Sequence, residues 1–105
     1  SPWDDELRDF AAAITEKAGP DEPILLVRAG ERMWPFYLGQ RCYEAERLVD
    51  RPPGMPFRWL IVHERLWTSE KDRAAIMKLY GTPKQEHKLQ EPHGKDGYVL
   101  VEMVK

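Results

Sequence analysis

Two uninterrupted apolar segments constrain the fold of this chain more than any other feature of its sequence. Residues 24–27 and residues 59–62 are each of strand length and contain no polar side chain. A short run that is apolar at every position is typical of a strand covered on both faces, as in the central strands of a parallel α/β sheet. We therefore predict a strand at 24–27 and a second at 58–63, paired side by side and parallel.

Two helices are predicted from their capping residues and apolar spacing. Ser1 and Pro2, followed by acidic residues, are typical of a helix start, and Gly19 with Pro20 ends a helix that we place at 2–18. Thr68 or Ser69 caps a later helix that stops at Gly81 and Pro83. The apolar positions of the first helix are Trp3, Leu7, Phe10, Ala11, Ile14 and Ala18. Those of the later helix are Ala75, Ile76, Leu79 and Tyr80.

The remaining segments are assigned by composition. Residues 31–38 predict a short helix with Pro35 near its start, and residues 41–45 predict a short second strand. Three prolines and a glycine in 50–56 indicate an exposed crossover. A polar edge strand at 84–89 and a β-rich segment at 98–105, separated by a turn, predict a hairpin.

Helical and strand segments therefore alternate along the chain, which is typical of α/β domains. We predict a small three-layer Rossmann-like sandwich, with a mostly parallel sheet of four or five strands and an antiparallel carboxyl-terminal hairpin. At 105 residues the chain is long enough for one hydrophobic core and too short for two, so residues 1–105 are expected to form a single domain.

Charge and cysteine content argue against several classes of partner. Sixteen Lys and Arg against eighteen Asp and Glu are interspersed along the chain, without the basic stripe that nucleic-acid binding requires. No apolar run is long enough to span a membrane, so this segment is not expected to insert directly. The single cysteine, Cys42, excludes an intramolecular disulfide and a cysteine zinc cluster.

The sequence contains no recognisable catalytic, cofactor-binding or metal-binding constellation. The turn after the first strand, Arg28 to Arg32, lies where an open α/β sheet would bind a ligand, but it has only one glycine, Gly30, which favours a plain turn over a nucleotide loop. His63 and Glu64 begin a zinc-protease motif that fails because position 67 is Trp67 rather than His. His63 is predicted to be a polar rim residue. The candidate ligand or partner contacts are Gly30, Glu31, Arg32, His63, Glu64 and Trp67.

Several other side chains have the chemistry of functional residues but are predicted to be structural or solvated. His87 and His93 are expected to be solvated surface residues, and Cys42 a small buried side chain on a strand. Trp34 and Trp59 are expected to pack in the core. If a tryptophan is exposed, Trp67 or Trp3 is the predicted one.

The segment 31–41, Glu-Arg-Met-Trp-Pro-Phe-Tyr-Leu-Gly-Gln-Arg, is followed by the apolar strand at 59–62 and a capped helix. Together these resemble the carboxyl-terminal soluble domain of bacterial membrane glycosyltransferases of the aminoarabinose transferase and protein mannosyltransferase type. The similarity extends from Leu7 to the end of the chain.

The resemblance implies an excised domain on the periplasmic face, whose partner is the membrane-helix portion of its own parent chain. It also implies that the catalytic acids and the polyprenyl-phosphate sugar donor belong to that membrane portion. The chain is then a non-catalytic accessory domain, while its parent is a transferase.

Two alternatives remain open. The first is a stand-alone, cytoplasmic Rossmann-like domain or enzyme that binds a small ligand near Gly30 and His63; convergence of His63, Glu64 and Glu31 would favour it. The second is a protein-interaction module that presents the edge strand 84–89 or an exposed aromatic patch.

Overall fold

A computed structural model of the chain describes residues 2–29, 34, 38–45, 57–91 and 94–104. Three helices and five strands occur in these ranges. In chain order they are α1 (Pro2–Ala18), β1 (Ile24–Val27), β2 (Cys42–Ala45), β3 (Trp59–His63), α2 (Glu64–Thr68), α3 (Glu70–Tyr80), β4 (Pro83–Gln90) and β5 (Gly97–Met103), with a 3₁₀ turn at Gly39–Arg41 before β2.

The strands form one mixed sheet in the order β2-β1-β3-β5-β4. β1 is parallel to both of its neighbours, with Ile24 opposite Cys42 on one side and Trp59 on the other. β5 runs antiparallel to β3 and to β4. The chain therefore has an α/β fold, and the predicted parallel pairing of the two apolar strands and the predicted terminal hairpin are both confirmed.

The two faces of the sheet carry separate hydrophobic clusters. Successive side chains of a strand point to opposite faces. Leu26 and Ile61 accordingly pack with Ile14 of α1, whereas Leu25 and Leu60 pack with Ile76 of α3. All four residues of β1 are buried, because helical residues contact both faces of this strand. The uninterrupted apolar run is explained by this double coverage.

The predicted long helices are confirmed at both of their positions. α1 ends where Gly19 adopts a positive φ of 80°, a conformation that glycine accepts without a steric cost. α3 begins after Ser69, whose hydroxyl oxygen accepts a hydrogen bond from the Asp72 backbone N–H at 3.4 Å. Of the four predicted apolar contacts of α3, Ile76 is fully buried, and Ala75, Leu79 and Tyr80 are half-buried.

The short helix α2 was not predicted, and it changes the position of Trp67. Trp67 is one of the two tryptophans predicted to be exposed if any is, but it is buried, at only 4% exposed, which counts against it as a ligand or partner contact. The Trp67 indole N–H donates to the Glu86 carboxylate of β4, and the Arg73 guanidinium lies 4.5 Å from the ring centroid. Trp67 belongs to the same hydrophobic cluster as Ile76 of α3 and Leu60 of β3.

Two predicted segments fall wholly or partly outside the described residues. The crossover at 50–56 lies outside them, and of the predicted helix at 31–38 only Trp34 and Leu38 are described. Both of these side chains are buried in the cluster that includes α1. The predicted core positions of Trp34 and Trp59 are confirmed, whereas the side chain of Trp3 is outside the described part of the chain.

A cluster of charged side chains lies at the end of the sheet where β3 begins. The Arg58 guanidinium donates twice to one Glu102 carboxylate oxygen, at 3.0 and 2.7 Å, and once to Glu22 at 2.8 Å. Glu22 also accepts from the Trp59 indole N–H at 3.1 Å, and Lys84 lies 3.7 Å from Glu102. The hydrogen bond from Arg58 is the main cause that lowers the pKa of Glu102. Glu102 therefore stays ionised although its side chain is largely buried.

The lowered pKa predicts a pH-dependent contribution of Glu102 to stability. A carboxyl whose pKa is lower in the folded state stabilises the fold above its unfolded pKa, about 4.3, and loses that contribution as pH falls through the folded pKa. The free energies of unfolding of the wild type and Glu102→Gln, measured with urea, should differ most at neutral pH. This difference should shrink toward pH ~3. The exposed Glu16→Gln on α1 is the control. A wild-type to Glu102→Gln difference that is equal at every pH would contradict this assignment.

Candidate functional site

The strand order places a crevice between the carboxyl ends of β1 and β3. The chain leaves β1 toward β2 on one side and then crosses over to β3 on the other, so these two neighbours form a topological switch point. In open α/β sheets, ligands bind in the crevice outside the carboxyl ends of the strands at such a point. The crevice here has a volume of about 180 Å³ and is lined by Arg28, His63, Arg65 and Leu66.

Arg28 enters this crevice region from an unusual backbone conformation. It directly follows β1, has a φ of +51°, and donates its backbone N–H to the Ala45 carbonyl at 2.9 Å. A left-handed conformation is uncommon for a residue with a Cβ and costs of order 1 kcal/mol. The turn therefore combines an exposed guanidinium with backbone strain that a glycine would not carry.

His63 is held in one orientation by both of its ring nitrogens. Nδ1 accepts the backbone N–H of Arg65 at 3.1 Å, which caps α2, and Nε2 lies 3.3 Å from the Asp96 carboxylate. Because Nδ1 accepts a hydrogen bond, the network assigns a proton to Nε2. The Tyr98 ring meets the imidazole edge-on at a centroid distance of 5.3 Å. His63 is thus a fixed, half-buried rim residue, as predicted.

Glu64 lies beside the start of β5. Its carboxylate occupies the space that a Cβ at Gly97 would need. Glu64 is not among the described residues that line the crevice. Among the described contacts, the charged partner of His63 is Asp96 rather than Glu64.

The structure places the other predicted contacts outside the crevice or outside its described part. Trp67 is buried under β4, while Gly30, Glu31 and Arg32 lie outside the described residues. Sequence reasoning did not select Arg28 and Arg65. Their signal was positional, because each follows an apolar strand within two residues, at the edge where a parallel sheet places ligands.

A second cleft lies at the opposite end of the strands, beside the charge cluster of Arg58. Its volume is about 370 Å³, and Arg58, Lys84, Glu102, Met103 and Val104 line it. The charged groups in this cleft contact one another, as Arg58 and Lys84 both lie close to Glu102. These charges are used to hold β3, β4 and β5 together, and the cleft offers a ligand fewer unpaired groups than the crevice does.

The described residues of the segment 31–41 have structural partners. The Trp34 indole N–H donates to the Ala29 carbonyl at 3.1 Å, and the ring contacts Phe10 and Tyr98 at centroid distances of 5.4 and 5.1 Å. Leu38 is buried, and Gly39 has a φ of +77°. Trp34 therefore joins α1, the turn after β1 and β5 in a single aromatic cluster.

Arg41, the last residue of the 3₁₀ turn before β2, donates hydrogen bonds to residues at the carboxyl end of α1. Its guanidinium donates to the Gly19 carbonyl, to the Thr15 hydroxyl at 2.6 Å, and to the Leu38 carbonyl at 3.2 Å. The carbonyls at the carboxyl end of a helix lack partners within the helix. A cation placed there interacts favourably with the helix dipole.

Neither a metal centre nor a membrane span is found in the part of the chain that the structure describes. Within these ranges, no group of three or more His, Cys, Asp and Glu side chains is arranged to hold a metal ion. No helix among the described residues is both long enough and apolar enough to cross a membrane.

No protein-family model, curated protein or solved structure matches the chain.

Cys42 is predicted to react slowly with alkylating reagents. It is half-buried on β2, and burial raises the pKa of its thiol to about 11, with Glu44 adding to the rise and Arg41 opposing it. Since the thiolate is the reactive form, alkylation by iodoacetamide at pH ~8 should be about 100-fold slower in the folded chain than in urea. Cys42→Ser should show no labelling. Equal rates in the folded and unfolded chain would refute the burial-raised pKa.

Proposed function

We propose that this chain is a non-catalytic accessory domain of a bacterial membrane-bound glycosyltransferase that uses a polyprenyl-phosphate sugar donor. The observation that carries the proposal is the structural role of the segment on which the resemblance rests. Trp34 and Leu38 pack in the hydrophobic core, and Gly39 has a positive φ. Arg41 donates a hydrogen bond to Thr15 near the carboxyl end of α1. A segment whose described side chains hold the chain together supports a structural role rather than a catalytic one.

In this proposal the fold is a small three-layer Rossmann-like sandwich. The parallel order β2-β1-β3 supports this description, as does the placement of α1 in one hydrophobic cluster and of α2 and α3 in the other. The antiparallel strands β5 and β4 extend the sheet on one side only.

The proposed partner of the domain is the membrane-helix portion of its own parent chain, on the periplasmic face. The transfer chemistry takes place in that portion, and this domain packs over it or helps to admit the acceptor. The arrangement of His63 supports an accessory role, because both ring nitrogens are engaged in holding α2 and Asp96.

The first test is the coding sequence immediately upstream of Ser1. We expect it to encode several hydrophobic stretches of about 20 residues, each long enough to span a bilayer as a helix. An upstream sequence without such stretches would refute the proposal.

The scaffold role of the segment 31–41 is tested by Arg41→Gln. Loss of the guanidinium leaves the Gly19 carbonyl and the Thr15 hydroxyl without this donor, and should lower the free energy of unfolding by about 1–3 kcal/mol. Urea unfolding followed by tryptophan fluorescence measures the change. Arg8→Gln, at an exposed position on α1, is the matched control and should stay within about 0.5 kcal/mol of the wild type.

A wild-type stability for Arg41→Gln would remove the observation that carries the proposed function. In that case Arg41 would be free to serve a ligand, and the segment 31–41 would have to be interpreted as part of a site.

A further inference from the structure

We propose that the crevice between the carboxyl ends of β1 and β3 binds a phosphate group between the guanidinium groups of Arg28 and Arg65, beside the imidazole of His63. This inference goes beyond the accessory function and does not depend on it. It concerns a ligand site in the chain itself, whereas the accessory function concerns the protein to which the chain belongs.

Two cationic side chains are among the described residues that line the crevice. Arg28 and Arg65 line it together with His63 and Leu66, and no carboxylate is among these described residues. The planar guanidinium group matches the oxygens of a phosphate and donates to two of them at once, which makes arginine the preferred partner of such groups. The chemistry of the lining thus selects an anion with several acceptor oxygens.

Two described acids adjoin residues that line the crevice. The Asp96 carboxylate lies against Nε2 of His63, and the Glu64 carboxylate lies beside Gly97. Among the described contacts, neither acid is paired with the guanidinium group of Arg28 or Arg65.

Arg28 and Arg65 differ from the arginines that hold the fold. Arg41 donates to the end of α1, Arg58 to Glu22 and Glu102, and Arg73 stacks on Trp67. Among the described residues, no hydrogen-bond or ion-pair partner accounts for the guanidinium of Arg28 or of Arg65. Both side chains are exposed and line one crevice, so they are available to a ligand.

The backbone of Arg28 supports a functional reason for this residue. A φ of +51° is a conformation that glycine adopts readily and arginine does not. Backbone strain of this kind concentrates at ligand-binding sites, where the side chain is needed in spite of its cost. The position therefore retains a guanidinium where local geometry favours a residue without a side chain.

The size of the crevice limits the ligand. A volume of about 180 Å³ is below the roughly 300–1,000 Å³ of sites that enclose drug-sized molecules. The crevice accommodates a phosphate group while the remainder of the ligand stays outside. A soluble phosphorylated compound and the headgroup of a phospholipid share this chemistry, and the experiment separates the two sources.

The test is a titration of the 105-residue chain, labelled with nitrogen-15, with inorganic phosphate at constant ionic strength. We expect amide shifts concentrated at Arg28 and at residues 63–66. Arg28→Gly and Arg65→Gln should each weaken phosphate affinity by about 10-fold, the loss expected for one charge-assisted contact. Arg8→Gln is the matched control and should leave the affinity unchanged.

Arg28→Gly separates binding from folding. Glycine relieves the strain at this position, so this variant should keep or raise the wild-type melting temperature while it loses phosphate affinity. If Arg28→Gly loses both phosphate affinity and the folded amide spectrum, its loss of affinity is due to unfolding. Arg65→Gln then provides the test of binding, because it leaves the backbone at position 28 unaltered.

Co-sedimentation with phosphatidylcholine vesicles, with and without phosphatidic acid, identifies the source of the phosphate. Binding that requires phosphatidic acid and is lost in Arg28→Gly supports a lipid headgroup. Binding of inorganic phosphate without vesicle binding supports a soluble ligand. If neither probe binds, or if the double variant Arg28→Gly, Arg65→Gln binds as the wild type does, the proposal is overturned, and the upstream test of the accessory function is unaffected.

Discussion

The burial of β1 on both faces is the constraint on which the rest of the structure depends. Its four residues are at most 1% exposed, so each face of the sheet needs its own cover. α1 contributes to the cluster on one face, and α2 and α3 contribute to the cluster on the other. Apolar burial of this kind is the main favourable contribution to folding. With both faces occupied, the ends of the strands remain for binding.

The two ends of the sheet differ chemically. At the start of β3, Arg58 is held by Glu22 and Glu102, and these charges stabilise one another. At the end of β3, the guanidinium groups of Arg28 and Arg65 line a crevice whose described lining includes no carboxylate. Paired charges are typical of a structural contact, and unpaired charges of one sign at a strand end favour a ligand.

The site was only partly predictable from the sequence. His63 was recognised because it ends an apolar strand, and its position on the rim agrees with the structure. Arg28 and Arg65 were not recognised, because a charged residue after a strand is common and its pairing depends on residues far away in sequence. The burial of Trp67, a candidate contact in the sequence, depends on α2, which no local pattern indicated, and on Glu86 of β4, which accepts from its indole N–H.

The sequence by itself determined the elements whose causes are local: the apolar runs of β1 and β3, the capped helices α1 and α3, and the hairpin of β4 and β5. Only the tertiary structure decided the position of β5 beside β3, the burial of Trp67, and the hydrogen bond from Arg41 to Thr15 near the end of α1. The physical reason is the separation of the partners. Capping and periodicity act within a few residues, whereas strand order and charge pairing join residues tens of positions apart, and their geometry exists only once the chain has folded.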